Sequence, residues 1–278
     1  MRFADEITVM IITYDEGANI SRTLDALGWA DDILVIDSGS TDATLAIVKN
    51  YGNARVLTRE FDTFAGQCNF GLSNVRRPWV LSLDADYELS SLLSLEINSL
   101  APADEIQGYS AHFVYRILGR PLSATLYPDR TVLYRRAGAF YRDKGHGHRV
   151  VIDGTISRLR APIFHDDRKP LARWLRSQIS YARREADHLL GSERHKLGIV
   201  GRIRLMGWPA PLLILAYTLI WKRCLIDGWA GWFYTLQRSL AETLIALELI
   251  DRRLHAQSSP GEAASSDAIS ARKSSSAL

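Results

Sequence analysis

The stretch that decides the fold reads Val80-Leu81-Ser82-Leu83-Asp84-Ala85-Asp86-Tyr87-Glu88. Its apolar first half has the composition of a buried strand, and two carboxylates separated by one small residue follow it directly. Open α/β sheets bind ligands at the edge formed by the carboxyl ends of their strands. Because carboxylate oxygens are hard ligands, we expect Asp84 and Asp86 to lie at a site for Mg²⁺ or Mn²⁺. A lone Asp-x-Asp also fits a solvated loop, so the rest of the chain must decide.

Apolar runs with the length of strands alternate with segments of helical spacing before this motif. The predicted strands are 7–13, 33–37, 54–58 and 79–83, and the predicted helices are 18–28, 43–51 and 64–74. Strands that alternate with helices at this spacing form crossover units. The pattern therefore predicts an α/β fold, Rossmann-like, with a mostly parallel sheet and flanking helices.

The alternation of predicted strands and helices ends near residue 100. Strands are predicted at 108–116 and 131–135, with a loop at 118–128 that contains Gly119, Pro121 and Pro128. This is where we expect a substrate-specific insertion. A helix rich in Arg is predicted at 169–190.

The net charge of +3 conceals an asymmetry between the two parts of the chain. Residues 1–120 hold 9 Lys or Arg against 17 Asp or Glu, whereas residues 168–255 hold 15 against 7. A basic region predicts an anionic partner, which is either a nucleic acid or a membrane surface. Aromatic residues in the basic region cluster with aliphatic ones and do not alternate with basic groups as in a stacking groove, so we expect an anionic membrane surface and no nucleic acid.

The two cysteines, Cys68 and Cys224, are far apart in the chain. The opening MRFADEITV lacks the charged, apolar and small-residue order of a secretory signal. We therefore expect a reducing, cytoplasmic setting, with both cysteines as packing residues and no disulfide.

Residues 206–221 carry no formal charge and are flanked by tryptophans. A membrane-spanning helix needs about 20 apolar residues. Pro209 and Pro211 would open any helix near residue 209 and leave too few residues for a span. Tryptophan favours the headgroup region, so we expect an in-plane or re-entrant element on the inner face of the plasma membrane. A buried core helix and a true span are the alternatives.

A last helix is predicted at 235–254, and the residues from 256 onward have the composition of a disordered tail. One side of the helix carries a leucine-rich stripe whose partner is a core, a second copy of the chain or lipid. The stripe consists of Leu236, Leu240, Leu244, Leu247 and Ile250.

Four motifs follow the predicted strands in order and converge on one sheet edge. They are Thr13-Tyr14-Asp15-Glu16, Asp37-Ser38-Gly39-Ser40-Thr41-Asp42, Gly66-Gln67-Cys68-Asn69 and Asp84-Ala85-Asp86. In this order, over residues 5–90, the chain resembles the family 2 glycosyltransferases of the GT-A fold. Asp15 stands where relatives usually have Asn, and Cys68 where many have Lys or Arg, which loosens any inference about the donor sugar.

The residue types suit a nucleotide-sugar donor. Asp37 can accept hydrogen bonds from a base or ribose, Ser38 lies in a tight turn, and Asp42 is expected to cap the following helix. For Gln67 and Asn69, a donor contact and a water-exposed helix face are both open. The resemblance implies that Asp84 lies near the ribose and Asp86 on the metal. The full predicted donor set is Thr13, Tyr14, Glu16, Asp37, Ser38, Gln67, Asn69 and Asp84.

Further motifs in the second half resemble the branch that contains the lipopolysaccharide-core β-1,4-glucosyltransferases. They are Tyr127-Pro128-Asp129-Arg130, Arg135-Arg136-Ala137-Gly138, Gly145-His146-Gly147-His148-Arg149-Val150 and Ile163-Phe164-His165-Asp166. That branch usually has His-Glu before Arg-Val, and Gly147-His148 stands here instead. A family carboxylate is therefore missing.

An inverting transferase needs a general base that takes the proton from the acceptor hydroxyl. His148 is a candidate because imidazole titrates near neutral pH, and Asp129 and Asp166 compete with it. His165 is either a second metal ligand, as the resemblance implies, or a structural histidine. His146 is expected to be a loop histidine bonded to backbone.

These observations predict an inverting, metal-dependent glycosyltransferase that uses a nucleotide-diphosphate sugar, with UDP as the expected nucleotide. The acceptor is expected to be lipid-linked or part of a cell-envelope glycan. The predicted domains are 1–167 for donor and acceptor, 168–255 for membrane association or homo-oligomer contact, and 256–278 for the tail. A nucleotidyltransferase and a catalytically silent membrane-bound scaffold are the alternatives.

Overall fold

The structure is a computed structural model that describes residues 2–144 and 147–258. The chain forms two compact units. The first comprises the chain up to Trp174 together with Thr218–Tyr234, and the second comprises Leu175–Tyr217 together with the chain from Thr235. Residues 168–174 and 218–234 thus belong with the first unit, unlike in the predicted division at residue 167. The first unit contains all the predicted site residues.

The first unit is built from thirteen strands and four α-helices within the described residues. The strands are β1 Ile7–Thr13, β2 Ile33–Asp37, β3 Ala54–Thr58, β4 Trp79–Asp84, β5 Tyr87–Leu89, β6 Ile106–Ala111, β7 Phe113–Ile117, β8 Arg120–Pro121, β9 Arg130–Arg135, β10 Phe140–Lys144, β11 Gly147–Val151, β12 Thr155–Arg158 and β13 Ile163–His165. The helices are α1 Ile20–Asp25, α2 Thr44–Val48, α3 Phe64–Ser73 and α4 Ser91–Ser99.

Seven strands form the central sheet in the order β12-β6-β9-β4-β1-β2-β3. The pairs of β1 with β2, β1 with β4, β2 with β3 and β6 with β12 are parallel, and β9 is antiparallel to both of its neighbours. The predicted α/β class with a mostly parallel sheet is therefore confirmed.

The apolar runs of β1 and β2 follow from their central position. A parallel strand that is covered on both faces has no solvent side, so it reads as continuous aliphatic sequence with no alternation. Every residue of β2 is buried, as are six of the seven residues of β1. Helix α3 packs so closely on this sheet that a Cβ on Gly71 would collide with Met10 Sδ.

The predicted strand at 108–116 is wrong in one respect, because it is two strands in two different sheets. The chain leaves the central sheet at the end of β6 and enters a four-stranded sheet of order β5-β13-β7-β8 with β7. In that sheet β13 pairs antiparallel with β5 and parallel with β7. Strands β10 and β11 form a separate antiparallel hairpin.

The helices of the C-terminal region begin and end as follows. They are α5 Leu171–Gly191, α6 Ile199–Met206, α7 Pro209–Ala216 and α8 Trp229–Ser258, with a π-helical turn at Tyr217–Trp221 and a 3₁₀ turn at Cys224–Asp227. Helix α7 starts at Pro209, where proline was predicted to open a helix. Among the residues that the structure describes, no helix is both long and apolar enough to cross a membrane.

The second unit has its own small core and a buried ion cluster. Ala182, Leu189, Ile245 and Leu249 are among its buried apolar residues. Arg204 Nη1 lies 2.7 Å from Glu185 Oε1, and Arg204 Nε donates to Glu242 Oε2 at 2.8 Å. A single guanidinium thus neutralises two carboxylates.

The structure bears on two expectations for α8. The leucine-rich stripe is divided in its surroundings, because Leu236 and Leu247 are 55% and 58% exposed whereas Leu244 packs against the core of the second unit. The expected tail begins too early, since residues 256–258 still belong to α8. Residues 259–278 lie outside the described part of the chain.

Both cysteines are free and buried. Cys68 lies in an apolar cluster with Met10 and Leu72. Burial strongly raises the pKa of the Cys68 thiol. The prediction that both cysteines are packing residues is confirmed.

Candidate active site

The carboxyl ends of β1, β2 and β4 meet at one edge of the central sheet. Thr13 is in register with Asp37, and Ile12 is in register with Asp84. The predicted convergence of the first, second and fourth motifs is therefore present in the structure. This edge is the position at which open α/β folds bind nucleotides.

Asp37 is fully buried, and local hydrogen bonds hold its carboxylate. Oδ2 accepts from the backbone N–H of Gly39 and of Ser40, both at 2.9 Å, and Oδ1 accepts from Ser40 Oγ at 2.5 Å. Gly39 has a φ of +88°, which a residue without a side chain adopts easily. In this conformation Asp37 shapes the turn after β2, and a nucleotide contact would require one of these bonds to be shared.

Asp15 and Asp42 organise the loops beside this turn. Asp15 has a φ of +50°, and its Oδ1 accepts from Thr41 N at 2.6 Å. Asp42 Oδ1 accepts from Thr44 N at 2.9 Å and Oδ2 from Gly17 N at 3.0 Å. Asp42 therefore bonds the first residue of α2, as expected of a structural residue, although the N-cap position itself is Ala43.

Thr13 and Tyr14 differ in their access to a ligand. Thr13 is buried, and its Oγ1 has no hydrogen-bond partner. Tyr14 is 53% exposed, and the Arg173 guanidinium lies 5.9 Å from the centre of its ring. An exposed aromatic ring at this edge can stack on a planar base, which keeps Tyr14 a donor candidate.

Gln67 is buried, so the water-exposed alternative for it is wrong. Its Nε2 donates to Ser38 Oγ and to the Arg59 carbonyl, both at 2.9 Å. The side chain ties α3 to the turn that carries Ser38. Gln67 thus stabilises the turn after β2 at this edge of the sheet.

Asn69 forms a two-sided bond with the backbone of β10. Its Nδ2 donates to the Tyr141 carbonyl at 3.0 Å, and its Oδ1 accepts from the Tyr141 N–H at 2.8 Å. Both ends of the amide are therefore engaged. The predicted donor contact of Asn69 is not supported, and its role in the structure is to hold β10 on α3.

Asp86 and His165 are brought together by the second sheet. In the antiparallel pair of β5 and β13, His165 is opposite Tyr87, the residue after Asp86. His165 Nε2 lies 3.3 Å from Asp86 Oδ2, and both side chains are almost buried. Burial lowers the pKa of His165, but the charge of Asp86 and their hydrogen bond outweigh it and raise that pKa overall.

Three tyrosine rings surround the His165 imidazole. The ring centres of Tyr87, Tyr115 and Tyr127 lie 5.2, 4.6 and 5.0 Å from its centre. His165 Nδ1 has no hydrogen-bond partner. Packing, and not a hydrogen bond to Nδ1, therefore orients the Nε2 atom toward Asp86.

Lys169 adds a positive charge at this edge that sequence reasoning missed. Its Nζ lies 2.6 Å from Glu16 Oε1 and 3.4 Å from Asp167 Oδ2. Burial opposes the charge of Lys169, but Asp86 and Glu16 outweigh it and raise the lysine pKa. The sequence signal was a basic pair, Arg168-Lys169, that follows two acidic residues just after the short strand β13.

The pKa values of Asp86 and Glu16 are shifted in opposite directions. Burial opposes the ionisation of Asp86, but His165 and Lys169 outweigh it and lower the Asp86 pKa. Burial and the negative charge of Asp86 raise the pKa of Glu16 to about 7, despite the opposing effect of Lys169. Asp86 is thus ionised, and Glu16 titrates near neutral pH.

The residues present fit a divalent cation as a pair of ligands. In the described part of the chain no three His, Cys, Asp or Glu side chains are grouped to hold a metal ion. Asp86 and His165 nevertheless offer one oxygen and one nitrogen at 3.3 Å from each other. Mg²⁺ typically takes one or two carboxylates from a protein and its other oxygens from phosphate and water, so two protein ligands suffice beside a diphosphate.

Two of the three general-base candidates lie on one cavity with Asp84. The cavity has a volume of about 470 Å³ and is lined by Asp84, Asp129, Arg130, Tyr141 and His148, among others. His148 packs against Tyr141 and stacks on Phe64, with ring centres 5.4 and 5.6 Å apart. Burial lowers the pKa of His148, which favours the neutral imidazole that can accept a proton.

Asp129 and Asp166 are less suited than His148 to the role of general base. Asp129 Oδ2 is paired with Arg158 Nη2 at 2.8 Å. Asp166 is fully buried, and its Oδ2 accepts from Arg168 Nη2 at 2.7 Å. The prediction of Asp166 as a base is not supported, because the acceptor would have no access to it. His146 lies outside the described residues.

Comparison with known proteins identifies a family for the part of the chain that contains this sheet edge. Residues 8–100 match the family model described as Glycosyl transferase family 2. These residues include β1 to β4, with Asp37, Asp84 and Asp86. The predicted resemblance to the family 2 glycosyltransferases is therefore confirmed for this part of the chain.

Two curated relatives extend the comparison. An uncharacterized glycosyltransferase of Rickettsia bellii (strain RML369-C) is 32% identical over 142 residues, which cover 49% of this chain and 48% of that protein. The lipopolysaccharide core biosynthesis glycosyltransferase LpsC of Rhizobium meliloti (strain 1021) is 34% identical over 108 residues, which cover 37% and 40%. The match thus spans less than half the length of each relative.

Among solved structures, S. aureus TarS 1-349 in complex with UDP-GlcNAc aligns with 90% of this chain and 92% of its own. The sequence identity is 14%, and the TM-score is 0.45. A likeness at this level carries no argument about function.

Proposed function

We propose that the protein is an inverting glycosyltransferase that moves a sugar from a nucleotide-diphosphate donor, with UDP as the nucleotide, to a lipid-linked or cell-envelope glycan. The observation that carries the proposal is the position of Asp84. It ends β4 at the nucleotide edge, and it also lines the cavity that holds His148. The donor edge and a candidate proton acceptor thus share one residue.

The donor side is assigned to the sheet edge. Tyr14 stacks on the base, and Asp37 and Ser38 hold the turn against the ribose, with Gln67 behind them. Asp86 and His165 would hold Mg²⁺ or Mn²⁺ beside the diphosphate. When bound, such a cation neutralises the charge that develops on the leaving diphosphate.

The acceptor side is assigned to the cavity of about 470 Å³. His148, as the neutral imidazole, takes the proton from the attacking hydroxyl. Asp129 contributes by holding Arg158, and Asp84, which lines the same cavity, lies near the ribose of the donor. An acceptor in lipopolysaccharide core synthesis is supported by LpsC, a lipopolysaccharide core biosynthesis glycosyltransferase that matches part of this chain. An acceptor in exopolysaccharide synthesis is the alternative.

We further propose that the protein acts in the cytoplasm, as a peripheral or monotopic protein on the inner face of the plasma membrane. This follows from the lipid-linked acceptor and from the basic, tryptophan-rich region 168–255. The exposed residues of the leucine-rich stripe of α8, among them Leu236 and Leu247, are the surface through which two copies would make contact.

The experiment is a transfer assay with a panel of UDP-sugars, Mn²⁺ and extracted lipopolysaccharide as acceptor, with UDP release and glycan mass as readouts. His148→Asn should lower transfer by about 10²-fold or more, with UDP binding unchanged. In the wild type, transfer should fall as the pH drops through the lowered His148 pKa, because the base becomes protonated. A pH profile that is the same in His148→Asn and wild type would remove His148 from this role.

The same assay separates the alternatives. A nucleotidyltransferase would bind UTP in preference to UDP, whereas the acidic β1–α1 loop with Glu16 disfavours a third phosphate. A silent scaffold would release no UDP with any donor. Either result would contradict the proposed function.

A further inference from the structure

The segment Thr218–Tyr234 is folded as part of the first unit, although the chain around it belongs to the second. Its inward side chains recur every three or four residues, at Cys224, Asp227, Ala230 and Tyr234, and all four are buried. Cys224, Ala230 and Tyr234 form a cluster with Ile117 and Leu122. The segment is thus packed on the end of β7 and the loop after it.

Hydrogen bonds also hold the segment in place. Asp227 Oδ2 accepts from Ser123 N at 3.0 Å, and Asp227 Oδ1 accepts from Ser123 Oγ. Tyr234 Oη accepts from Leu126 N at 3.0 Å. The next residue, Tyr127, is in ring contact with His165. The segment is therefore bonded to the loop that leads directly into the candidate active site.

The outward side of the segment is also apolar. Ile220, Trp221 and Ile226 are 74%, 76% and 71% exposed. Four more large apolar residues that lie between the inward positions are at least two-fifths exposed, and they are Leu225, Trp229, Trp232 and Phe233. A segment on a water-facing surface normally carries polar residues on its outer side. The outward side therefore requires a binding partner that shields its apolar side chains from water.

The charged residues of the segment indicate the chemistry of this binding partner. The one acidic residue of the segment is Asp227, and its carboxylate is buried against Ser123. Lys222 and exposed Arg223 are its basic residues. Tryptophans with adjacent basic groups suit the headgroup layer of an anionic bilayer. A second copy would bring the same positive charges together, which disfavours that partner.

We infer that the outer side of residues 218–234 is the surface through which the catalytic unit sits on an anionic lipid bilayer. The inference deepens the proposed membrane location and rests on it. It differs from the expectation for 206–221, because the contact belongs to the unit that carries the active site. Docking on the bilayer would hold residues 122–127, and with them the acceptor cavity, near a lipid-linked acceptor.

The test is flotation of the full-length chain with vesicles of phosphatidylcholine, with and without phosphatidylglycerol. The wild type should float with the anionic vesicles, and high salt should weaken this. The variant I220S/W221S/I226S should bind them at least about tenfold more weakly, because three inserted side chains are lost. The matched control is L92S/L95S, which changes two residues of α4 that are each 67% exposed in the same unit. It should float like the wild type.

Equal flotation of the triple variant and the wild type would overturn the inference. So would a wild-type dimer that dissociates in the triple variant without any vesicle binding, since the binding partner would then be a second copy. UDP binding in the presence of Mn²⁺ reports that the variant is folded. In wild-type protein, quenching of tryptophan fluorescence by brominated lipid supplies a second measurement that needs no variant, and its absence would count against insertion.

The outcomes also separate this inference from the proposed function. A wild type that floats but transfers no sugar would remove the proposed function and leave the bilayer contact. A wild type that transfers sugar to a soluble acceptor but does not float would remove the bilayer contact and leave the transferase activity.

Discussion

Replacing Glu16 by Gln should remove a pH-dependent part of the stability of the protein. The pKa of Glu16 is raised from its ordinary 4.5 to about 7 in the folded state, because the side chain is buried and faces the charge of Asp86. A carboxyl with a raised folded pKa contributes stability that is fully present below its unfolded pKa. That contribution is lost as the pH rises through the folded pKa.

The size of the effect follows from the two pKa values. At about 1.4 kcal/mol per unit, the wild type should lose about 2.5 kcal/mol of unfolding free energy relative to E16Q between about pH 5 and about pH 8. Gln has the shape of the protonated acid and does not titrate, so its own curve lacks this term. For a chain of this length the loss corresponds to about 4 °C in melting temperature.

The assay is thermal unfolding of wild type and E16Q across this pH range, with the difference between the two as the measured quantity. Glu60→Gln, at an exposed position, is the matched control for the loss of one acidic charge. If the melting temperatures of wild type and E16Q change in parallel from about pH 5 to about pH 8, the pKa of Glu16 is not raised. Glu16 would then be ionised throughout this range, as an ion-pair partner of Lys169.

Two further substitutions test polar contacts, one in each unit of the chain. Asn69→Ala leaves the Tyr141 N–H and carbonyl without their partners, so it should lower the unfolding free energy by about 2–4 kcal/mol in chemical denaturation, and an unchanged midpoint would contradict the two-sided bond. Arg204→Met leaves Glu185 and Glu242 buried without their cation and should cost the second unit about 3–5 kcal/mol. Hydrogen exchange should speed up in α6 while β1 stays protected, whereas equal loss in both would mean that the two units unfold together.

The central sheet could be predicted from sequence because its strands are buried on both faces. Such strands read as uninterrupted aliphatic runs, and each is followed by the polar residues of the ligand edge. The strands at 7–13, 33–37 and 54–58 have the predicted bounds. The same local logic identified Asp37, Asp84 and Asp86 as residues of one edge.

The second sheet could not be predicted in this way, because its strands are short and pair over long distances. Strand β13 has three residues, and its pairing with β5 brings His165 to Asp86 across 79 positions of the chain. The sequence also did not reveal the contacts of the polar residues in the third motif. Gln67 and Asn69 lie in one polar motif, yet one faces Ser38 and the other the backbone of β10.

The membrane prediction from sequence was directed at residues 206–221, where charge is absent. Composition cannot tell which side of a segment is already packed. In 218–234 the inward positions are covered by Ile117 and Leu122, and the outward positions carry three tryptophans. Only the alternation of buried and exposed residues separates the two sides.

The most direct test of the account is titration calorimetry of UDP binding in the presence and absence of Mn²⁺. The wild type should bind UDP at least about tenfold more tightly with Mn²⁺. Asp86→Asn should lose that gain, while Asp104→Asn, at an exposed position, keeps it. If Asp86→Asn retains the full Mn²⁺-dependent gain in UDP affinity, then Asp86 and His165 do not hold the metal and the proposed donor site is wrong.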